Sequence, residues 1–227
     1  MPEMTLRPFS AIVFDMDGTL LDTELVFKEV VWEVSRSFGL AMTDEIQLGM
    51  IGTSHEASRQ LLIRSFGASF LYDQFDAECR RMMQGRMASA VPIKAGVSEL
   101  LRELQARAIP MAVATSSRSH HALTHLGTAG LLDMFETVVT RDDVTNPKPH
   151  PEPYLMAAGR LRVDPAACIA IEDSHAGVRA AHAAGMQTIM VPDLLPPSDE
   201  IRALCQAVLP DLHHVRSAAF AAAVAQR

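Results

Sequence analysis

The sequence contains little cysteine and few aromatic residues: three cysteines in 227 residues, and 5% Phe, Trp and Tyr together. Cys79, Cys168 and Cys205 are widely spaced and odd in number. This pattern excludes the disulfide framework of a small secreted domain. We therefore expect reduced thiols in a cytoplasmic protein.

Basic residues are also scarce. The chain has 20 Lys and Arg against 27 Asp and Glu, a formal charge of −7, and its basic residues form no cluster. Nucleic acids and anionic membrane surfaces are bound by clustered Lys and Arg, so we expect neither as a partner. No apolar run reaches the roughly 18 residues of a membrane span. Residues 1–10 lack the profile of a signal peptide.

The remaining composition is globular, with 48% hydrophobic residues in a chain long enough for one large domain or a domain with a smaller companion. Short β-branched or aromatic runs predict strands at Ala11–Phe14, Met111–Ala114, Thr137–Val139, Ile169–Ile171 and Thr188–Val191. The stretches between and after them predict helices at Val97–Arg107, Ser119–Leu126, Pro151–Leu161, Ser174–Ala184 and Leu212–Arg227. This alternation predicts an α/β protein whose parallel sheet is covered by helices on both faces.

Residues 23–90 interrupt the alternation. Val26, Val30, Val34 and Phe38 recur every four residues, a last helix is predicted around residues 75–87, and no convincing strand appears. We interpret this interval as an inserted, all-helical domain. Residues 1–22 and 91–227 are left to form the α/β core.

The most informative motif is Asp15-Met16-Asp17-Gly18, at the end of the first predicted strand. Open parallel sheets place their active sites at the carboxyl ends of their strands. Alternate residues of an extended segment point the same way, so Asp15 and Asp17 can share one small volume. A turn in which the Asp residues cap the following segment explains the motif equally well, so both interpretations stay open on these residues alone.

Two further polar groups follow other predicted strands. Thr115, Ser116 and Ser117 open a helix and suit a phosphate oxygen, although an ordinary helix N-cap also explains them. Lys148 lies between two prolines, which stiffen the backbone and can aim its ammonium group at a fixed point. A solvated surface Lys is the alternative.

A third group consists of adjacent acids at the end of the fourth predicted strand. Glu172 and Asp173 precede a helix and could simply cap it. Together with Asp15, however, they can surround Mg²⁺ with the oxygen ligands that it prefers.

These motifs resemble the haloacid dehalogenase superfamily, in the branch that contains phosphoglycolate phosphatases and β-phosphoglucomutase. DMDGTLLDTE stands at the start, followed in the family's order by ATSS, NPKPHPEPY and EDSHAGVRAAHAAGM. The resemblance covers nearly the whole chain. It implies a Rossmann-like core with a helical cap domain inserted after the first strand.

The resemblance also implies a role for each matching residue. Asp15 would be the nucleophile and Asp17 the general acid and base, while Thr115 and Lys148 would bind the phosphate. The implied Mg²⁺ ligands are Asp15, Asp17 through its backbone carbonyl, Glu172 and Asp173.

For the other candidate substrate contacts, an ordinary structural role is also possible. Ser116 offers a hydroxyl beside Thr115. Arg118 resembles a position that can touch a second phosphate in the mutase branch, and the alternative is a surface residue in a first helical turn. Thr53 and His55 lie in a polar break between helices, which is either a cap loop that reaches the substrate or an ordinary connection.

Three histidines, His120, His121 and His125, have near-ligand spacing on one predicted helix. No second cluster of metal-ligating residues accompanies them, so we interpret them as a polar helix face rather than a zinc site.

We therefore expect a Mg²⁺-dependent phosphatase that hydrolyses a small phosphomonoester, such as a sugar phosphate or phosphoglycolate, through an aspartyl-phosphate intermediate. The alternative is a β-phosphoglucomutase-like phosphomutase, which the core motifs do not separate from a phosphatase. A haloacid dehalogenase, which works without this metal, is disfavoured by Asp17, Glu172 and Asp173. A non-enzymatic sensor would be expected to have lost one of the acids or Lys148. The cap sequence does not identify the substrate.

Overall fold

The computed structural model describes residues 6–50 and 55–224. The chain forms two compact units, one of residues 1–22 with 92–227 and the other of residues 23–91. The strands are β1 (Ala11–Phe14), β2 (Met111–Ala114), β3 (Thr137–Val139), β4 (Cys168–Glu172), β5 (Gln187–Met190) and β6 (Ala207–Val208). The helices are α1 (Thr23–Ser37), α2 (Asp44–Leu48), α3 (His55–Phe66), α4 (Tyr72–Ser89), α5 (Val97–Ala106), α6 (Ser119–Thr128), α7 (Glu152–Leu161), α8 (His175–Ala183), α9 (Asp199–Leu204) and α10 (Leu212–Val224). Short 3₁₀ helices span Leu132–Met134, Arg141–Asp143 and Pro165–Ala167.

The first unit contains the sheet, whose strand order is β3-β2-β1-β4-β5-β6 with every described neighbour parallel. The predicted α/β class is confirmed. All four residues of β1 are fully buried, as expected of a central strand in a parallel sheet with helices on its faces. The strand order reverses between β1 and β4, and ligands of such sheets bind at the carboxyl ends of the strands beside that point.

Helices complete the core of this unit through regularly spaced apolar residues. In α5, Val97, Leu100, Leu101 and Leu104 are fully buried, which is the spacing of one helical face. Helix α7 packs on β2 and β3, and its fully buried residues belong to the same apolar cluster as Val13 of β1.

The structure differs from the sequence prediction in a few elements. Strand β4 is one residue longer at each end, and β5 begins one residue earlier. Helix α9 and strand β6 were not predicted, because six and two residues are too few to establish a periodic pattern. Ser198 does accept a hydrogen bond from the backbone N–H of Ile201, so an N-cap signal for α9 was present in the sequence.

The second unit consists of α1 to α4, and its described residues include no strand. Val26, Val30 and Val34 are buried, as their spacing in α1 predicts. Phe38 lies just beyond the end of α1, where its ring packs edge-on against Phe75 at 5.7 Å. Helix α4 runs beyond the predicted residues 75–87 at both ends. No helix in the described ranges has both the length and the apolar character needed to cross a membrane.

Candidate active site

Asp15 stands directly after β1 at the carboxyl edge of the sheet. Its backbone N–H donates to the carbonyl of Ile171 in β4 at 2.9 Å, which continues the parallel ladder by one residue. The chain then turns tightly, because Leu20 and Leu21 both donate to the carbonyl of Met16. The turn places Asp17 near the same edge as Asp15.

The turn requires glycine at position 18. Gly18 has a φ of +83°, which side-chain-bearing residues rarely adopt. A Cβ there would also lie 2.3 Å from Oδ2 of Asp173. The glycine therefore lets the Asp15–Asp17 segment approach Asp173, directly after β4.

Lys148 contacts Asp15, directly after β1, and Glu172, at the end of β4. Its Nζ lies 2.5 Å from Oδ1 of Asp15 and 2.5 Å from Oε1 of Glu172, and its side chain is 3% exposed. Burial acts to lower the pKa of Lys148, but the two carboxylates outweigh it and raise the pKa above its usual value. Lys148 is therefore a permanent cation beside Asp15.

Asp15, Glu172 and Asp173 converge, each offering a carboxylate oxygen within 4.8 Å of the others. Burial raises the pKa of Asp15 to about 8, against the lowering effect of Lys148, and the nearby Glu172 raises it further. Burial also raises the pKa of Asp173 well above its usual value, with added repulsion from Asp15 and Glu172. Three crowded acids with one ammonium group favour the binding of a further cation.

Glu172 is fully enclosed by donors. Its Oε1 accepts from Lys148 and from the hydroxyl of Tyr154 at 2.6 Å. Its Oε2 accepts from the backbone N–H of Asp173 and from both the N–H and the hydroxyl of Ser174, at 3.0 to 3.2 Å. Burial raises the pKa of Tyr154, which keeps its hydroxyl protonated as a donor. These contacts lock Glu172 in the position from which it holds Lys148.

Asp17 is held from the neighbouring strand end. The hydroxyl of Ser117 donates to Oδ2 of Asp17 at 2.7 Å. Thr115 is buried at the end of β2, where its Oγ1 accepts from the backbone N–H of Ser117 at 3.0 Å. Ser116, between them, is exposed. The ATSS segment thus lies beside the DxDG turn.

Several contacts here were not predicted from the sequence. The pairing of Ser117 with Asp17, the hydroxyl of Tyr154 on Glu172, and the hydroxyl of Thr19, which donates to Oδ1 of Asp173 at 3.2 Å, link residues far apart in the chain. The only indication of these contacts in the sequence is that the residues concerned lie in the four motifs.

The remaining predicted residues are Arg118, Thr53 and His55. Arg118 is exposed and forms the N-cap of α6 without a side-chain capping bond. Thr53 lies outside the described residues, and His55 begins α3 with a side chain that the structure does not describe. Their roles as substrate contacts stay predictions.

The histidines of α6 form a row rather than a metal centre. The rings of His120 and His121 lie 5.5 Å apart, and those of His121 and His125 lie 6.0 Å apart. In the part of the chain that the structure describes, the converging ligand-type side chains are the three acids, and the histidines are not among them.

The cysteines are also remote from this chemistry. All three are free, and burial raises the pKa of Cys79 to about 12 and that of Cys168 and Cys205 to about 11. Protonated thiols are poor nucleophiles and metal ligands.

Residues 12–191 match the family described as haloacid dehalogenase-like hydrolase. The chain belongs to this family and is an enzyme of it. It is 31% identical to a phosphorylated carbohydrates phosphatase of Thermotoga maritima, over 79% of this chain and 83% of the relative. It is also 31% identical to the fructose-1-phosphate phosphatase YqaB of Escherichia coli (strain K12), over 81% and 96%.

A solved structure has the same architecture. It is a HAD family hydrolase from Deinococcus radiodurans R1 with bound phosphate and sodium, and it superposes with a TM-score of 0.83 at 28% identity. The match covers 96% of this chain and 97% of that one. The family expected from the motifs is confirmed.

Proposed function

We propose that the protein is a Mg²⁺-dependent phosphatase that hydrolyses a small phosphomonoester, a sugar phosphate or a phosphoglycolate-like compound. The observation that carries the proposal is the placement of Asp15 against Lys148 and within the group of three acids. The names of the two relatives, a phosphorylated carbohydrates phosphatase and a fructose-1-phosphate phosphatase, support this substrate class.

The acids fit a magnesium ion. Mg²⁺ prefers carboxylate oxygens from one or two side chains and completes its coordination with waters and substrate phosphate. Asp15 and Asp173 would hold it, with the backbone carbonyl of Asp17 as a third protein ligand. Bound there, Mg²⁺ would supply positive charge to the phosphate oxygens. Glu172 already accepts five hydrogen bonds, so its main contribution would be to hold Lys148 and Asp173 in place.

Asp15 would attack the phosphorus atom through a carboxylate oxygen. The bond from phosphorus to the substrate oxygen breaks, and the leaving alkoxide takes a proton from Asp17. Asp17 then accepts a proton from water, and the resulting hydroxide attacks the aspartyl-phosphate, which releases phosphate and restores Asp15. Ser117 fixes the Asp17 carboxylate for both proton transfers.

The charge on the phosphate would be balanced by Lys148, which burial and its contacts with Asp15 and Glu172 keep in one position. Thr115 and Ser116 would donate hydroxyl hydrogen bonds to the phosphate oxygens. Thr115 can do so because its described hydrogen bond uses Oγ1 as an acceptor and leaves its hydroxyl proton free to donate.

We further propose that the helical unit of residues 23–91 acts as a cap that selects the substrate, and that the enzyme works in the cytoplasm. The arginines of α4 are held in ion pairs within this unit. Arg80 pairs with Asp76, Arg81 with Glu78, and Arg86 with Glu29 and Glu33. The pairs of Arg80 and Arg81 are exposed and therefore weak, so they oppose the binding of a second substrate phosphate only modestly.

This pairing favours a hydrolase over the alternative, a β-phosphoglucomutase-like mutase. A mutase must hold a bisphosphate intermediate while excluding water, which requires cationic contacts to the second phosphate. The test uses β-glucose 1-phosphate with a trace of glucose 1,6-bisphosphate and Mg²⁺, and measures free phosphate and glucose 6-phosphate separately. Faster formation of glucose 6-phosphate than of phosphate would assign a mutase.

The broader test is a phosphate-release screen with Mg²⁺ against phosphorylated sugars, phosphoglycolate and nucleotides. We expect saturable release from a small set of sugar or organic acid phosphates. Asp15→Asn is the negative control, because contaminating phosphatases would be unaffected by it. Equal release by both proteins would contradict the proposal.

A further inference from the structure

Asp193 is a buried acid that the mechanism above does not use. It follows β5, its side chain is 10% exposed, and its Oδ1 accepts from Nζ of Lys94 at 2.7 Å. Its other oxygen, Oδ2, is buried and accepts no hydrogen bond from the described residues. A buried carboxylate oxygen without a donor costs free energy, so this atom calls for a partner of another kind.

The unpaired oxygen faces the DxDG turn. A Cβ on Gly18 would lie 3.3 Å from Oδ2 of Asp193 and 2.3 Å from Oδ2 of Asp173. The two acids therefore border the same glycine from the ends of β4 and β5. Asp193 is not among the three acids whose carboxylate oxygens converge within 4.8 Å.

We propose that Asp193 is an outer-sphere carboxylate of the cation site, whose Oδ2 accepts a hydrogen bond from a water molecule bound to the ion. This inference rests on the metal site of the proposed function. Mg²⁺ keeps several of its waters in protein sites, and such waters need acceptors around the ion. Asp193 meets that need, because its Oδ2 has no donor among the described residues and borders the same glycine as Asp173, a proposed direct ligand.

Lys94 is the ion-pair partner of this buried acid. The ammonium group of Lys94 engages Oδ1 of Asp193 and makes a longer contact, 3.4 Å, with Asp22. The ion pair uses Oδ1 of Asp193 and leaves Oδ2 without a donor among the described residues.

The competing explanation is that Asp193 is merely a counter-ion for Lys94. The two explanations differ in what happens to metal affinity. A simple counter-ion affects Mg²⁺ binding only through its charge, as Asp22 does, whereas an outer-sphere ligand also accepts a hydrogen bond from a metal-bound water, so Asp193→Asn should then weaken binding more than Asp22→Asn. Outer-sphere partners are typically worth about 10- to 100-fold in metal affinity.

The experiment measures the Kd of Mg²⁺ for the metal-free, full-length protein by isothermal titration calorimetry, without substrate. We expect Asp193→Asn to weaken binding at least about tenfold. Asp22→Asn is the matched control, because it removes the other carboxylate near Lys94 and should change the Kd less than about threefold. The rise in Tm on adding Mg²⁺ gives a second readout, which should shrink in Asp193→Asn and persist in Asp22→Asn.

Asp173→Asn distinguishes failure of the outer-sphere role of Asp193 from failure of the proposed metal site itself. If it abolishes Mg²⁺ binding while Asp193→Asn binds like the wild type, the outer-sphere role is wrong and the metal site stands. If Asp173→Asn also binds like the wild type, the proposed metal site is wrong and the inference falls with it. Should Asp193→Asn not fold, Lys94→Met is expected to bind Mg²⁺ more tightly, because Asp193 then carries an uncompensated charge. Unchanged or weaker binding would overturn the proposal.

Discussion

At the scale of single residues, two features of the surroundings of Asp15 shift its pKa in opposite directions. It is buried and crowded by acids, which favours its neutral form, yet it contacts a buried ammonium group that favours the carboxylate. Such a residue is ready to ionise when more positive charge is present. The arrangement suits a nucleophile that meets a phosphate together with a cation.

We predict that Asp15→Asn abolishes turnover and leaves the fold intact. An amide cannot attack phosphorus and offers a metal no anionic oxygen. Phosphate release measures the loss, and circular dichroism measures the fold. Asp142→Asn is the control, because Asp142 is an exposed acid that accepts from the backbone N–H of Ser119. Activity of Asp15→Asn within a few-fold of wild type would exclude its role as nucleophile.

We predict that Lys148→Ala lowers kcat at least about 100-fold, comparable with removing one preorganised contact to a transition state. His150→Ala, two residues further along, should change kcat less than about threefold because its side chain is 52% exposed. Steady-state kinetics on the best substrate of the screen measures both. Similar, small losses at the two positions would mean that Lys148 has only a structural role.

At the scale of elements, the first turn of α8 shapes the site through a glycine. A Cβ on Gly177 would lie 1.7 Å from Oε1 of Glu172. The first turn of α8 can therefore pack against Glu172 only because position 177 has no side chain. Ser174 completes the turn, since its hydroxyl accepts from the N–H of Gly177 and donates to Glu172. The start of α8 and the position of Glu172 therefore depend on each other.

We predict that Gly177→Ala lowers the free energy of unfolding by about 3 kcal/mol, because Glu172 must leave its five donors or the helix must shift. Gly159→Ala is the matched control. Gly159 also lies in a helix, α7, but has no atom within 4 Å of an added Cβ, so its substitution should stabilise by up to about 1 kcal/mol. Urea unfolding measures both, and equal effects would contradict the packing argument.

At the scale of the whole molecule, the charge of −7 does not prevent binding of an anionic substrate. The field that a phosphate meets depends on the nearest groups, because solvent and salt screen distant charges over about 8 Å at physiological ionic strength. Lys148 and a bound cation would therefore determine the local potential.

We predict that a chelator abolishes activity and lowers Tm, because Mg²⁺ binds the folded protein and relieves the repulsion among Asp15, Glu172 and Asp173. Added Mg²⁺ should restore both properties. Ca²⁺ should restore much of the Tm but little activity, since its larger and more variable coordination disturbs the alignment of the phosphate. Full activity after exhaustive dialysis against a chelator would refute metal dependence.

Much of this protein was determined by its sequence alone. The apolar runs and their alternation with helices predicted five of the described strands and the α/β class, because burial between parallel neighbours demands continuous apolar residues. The acids, Lys148 and Thr115 were also identifiable, because each follows a predicted strand and such sheets bind their ligands at the carboxyl ends.

The tertiary structure decided which atoms of these residues meet. Ser117 and Asp17 are 100 positions apart, and Lys94 and Asp193 are 99 apart, yet each pair is joined by a hydrogen bond. Such contacts depend on strand order and on the exact positions of turns, which local periodicity does not encode. The same is true of Oδ2 of Asp193. The sequence shows that an acid is present, while the surrounding fold determines that this oxygen has no hydrogen-bond donor among the described residues.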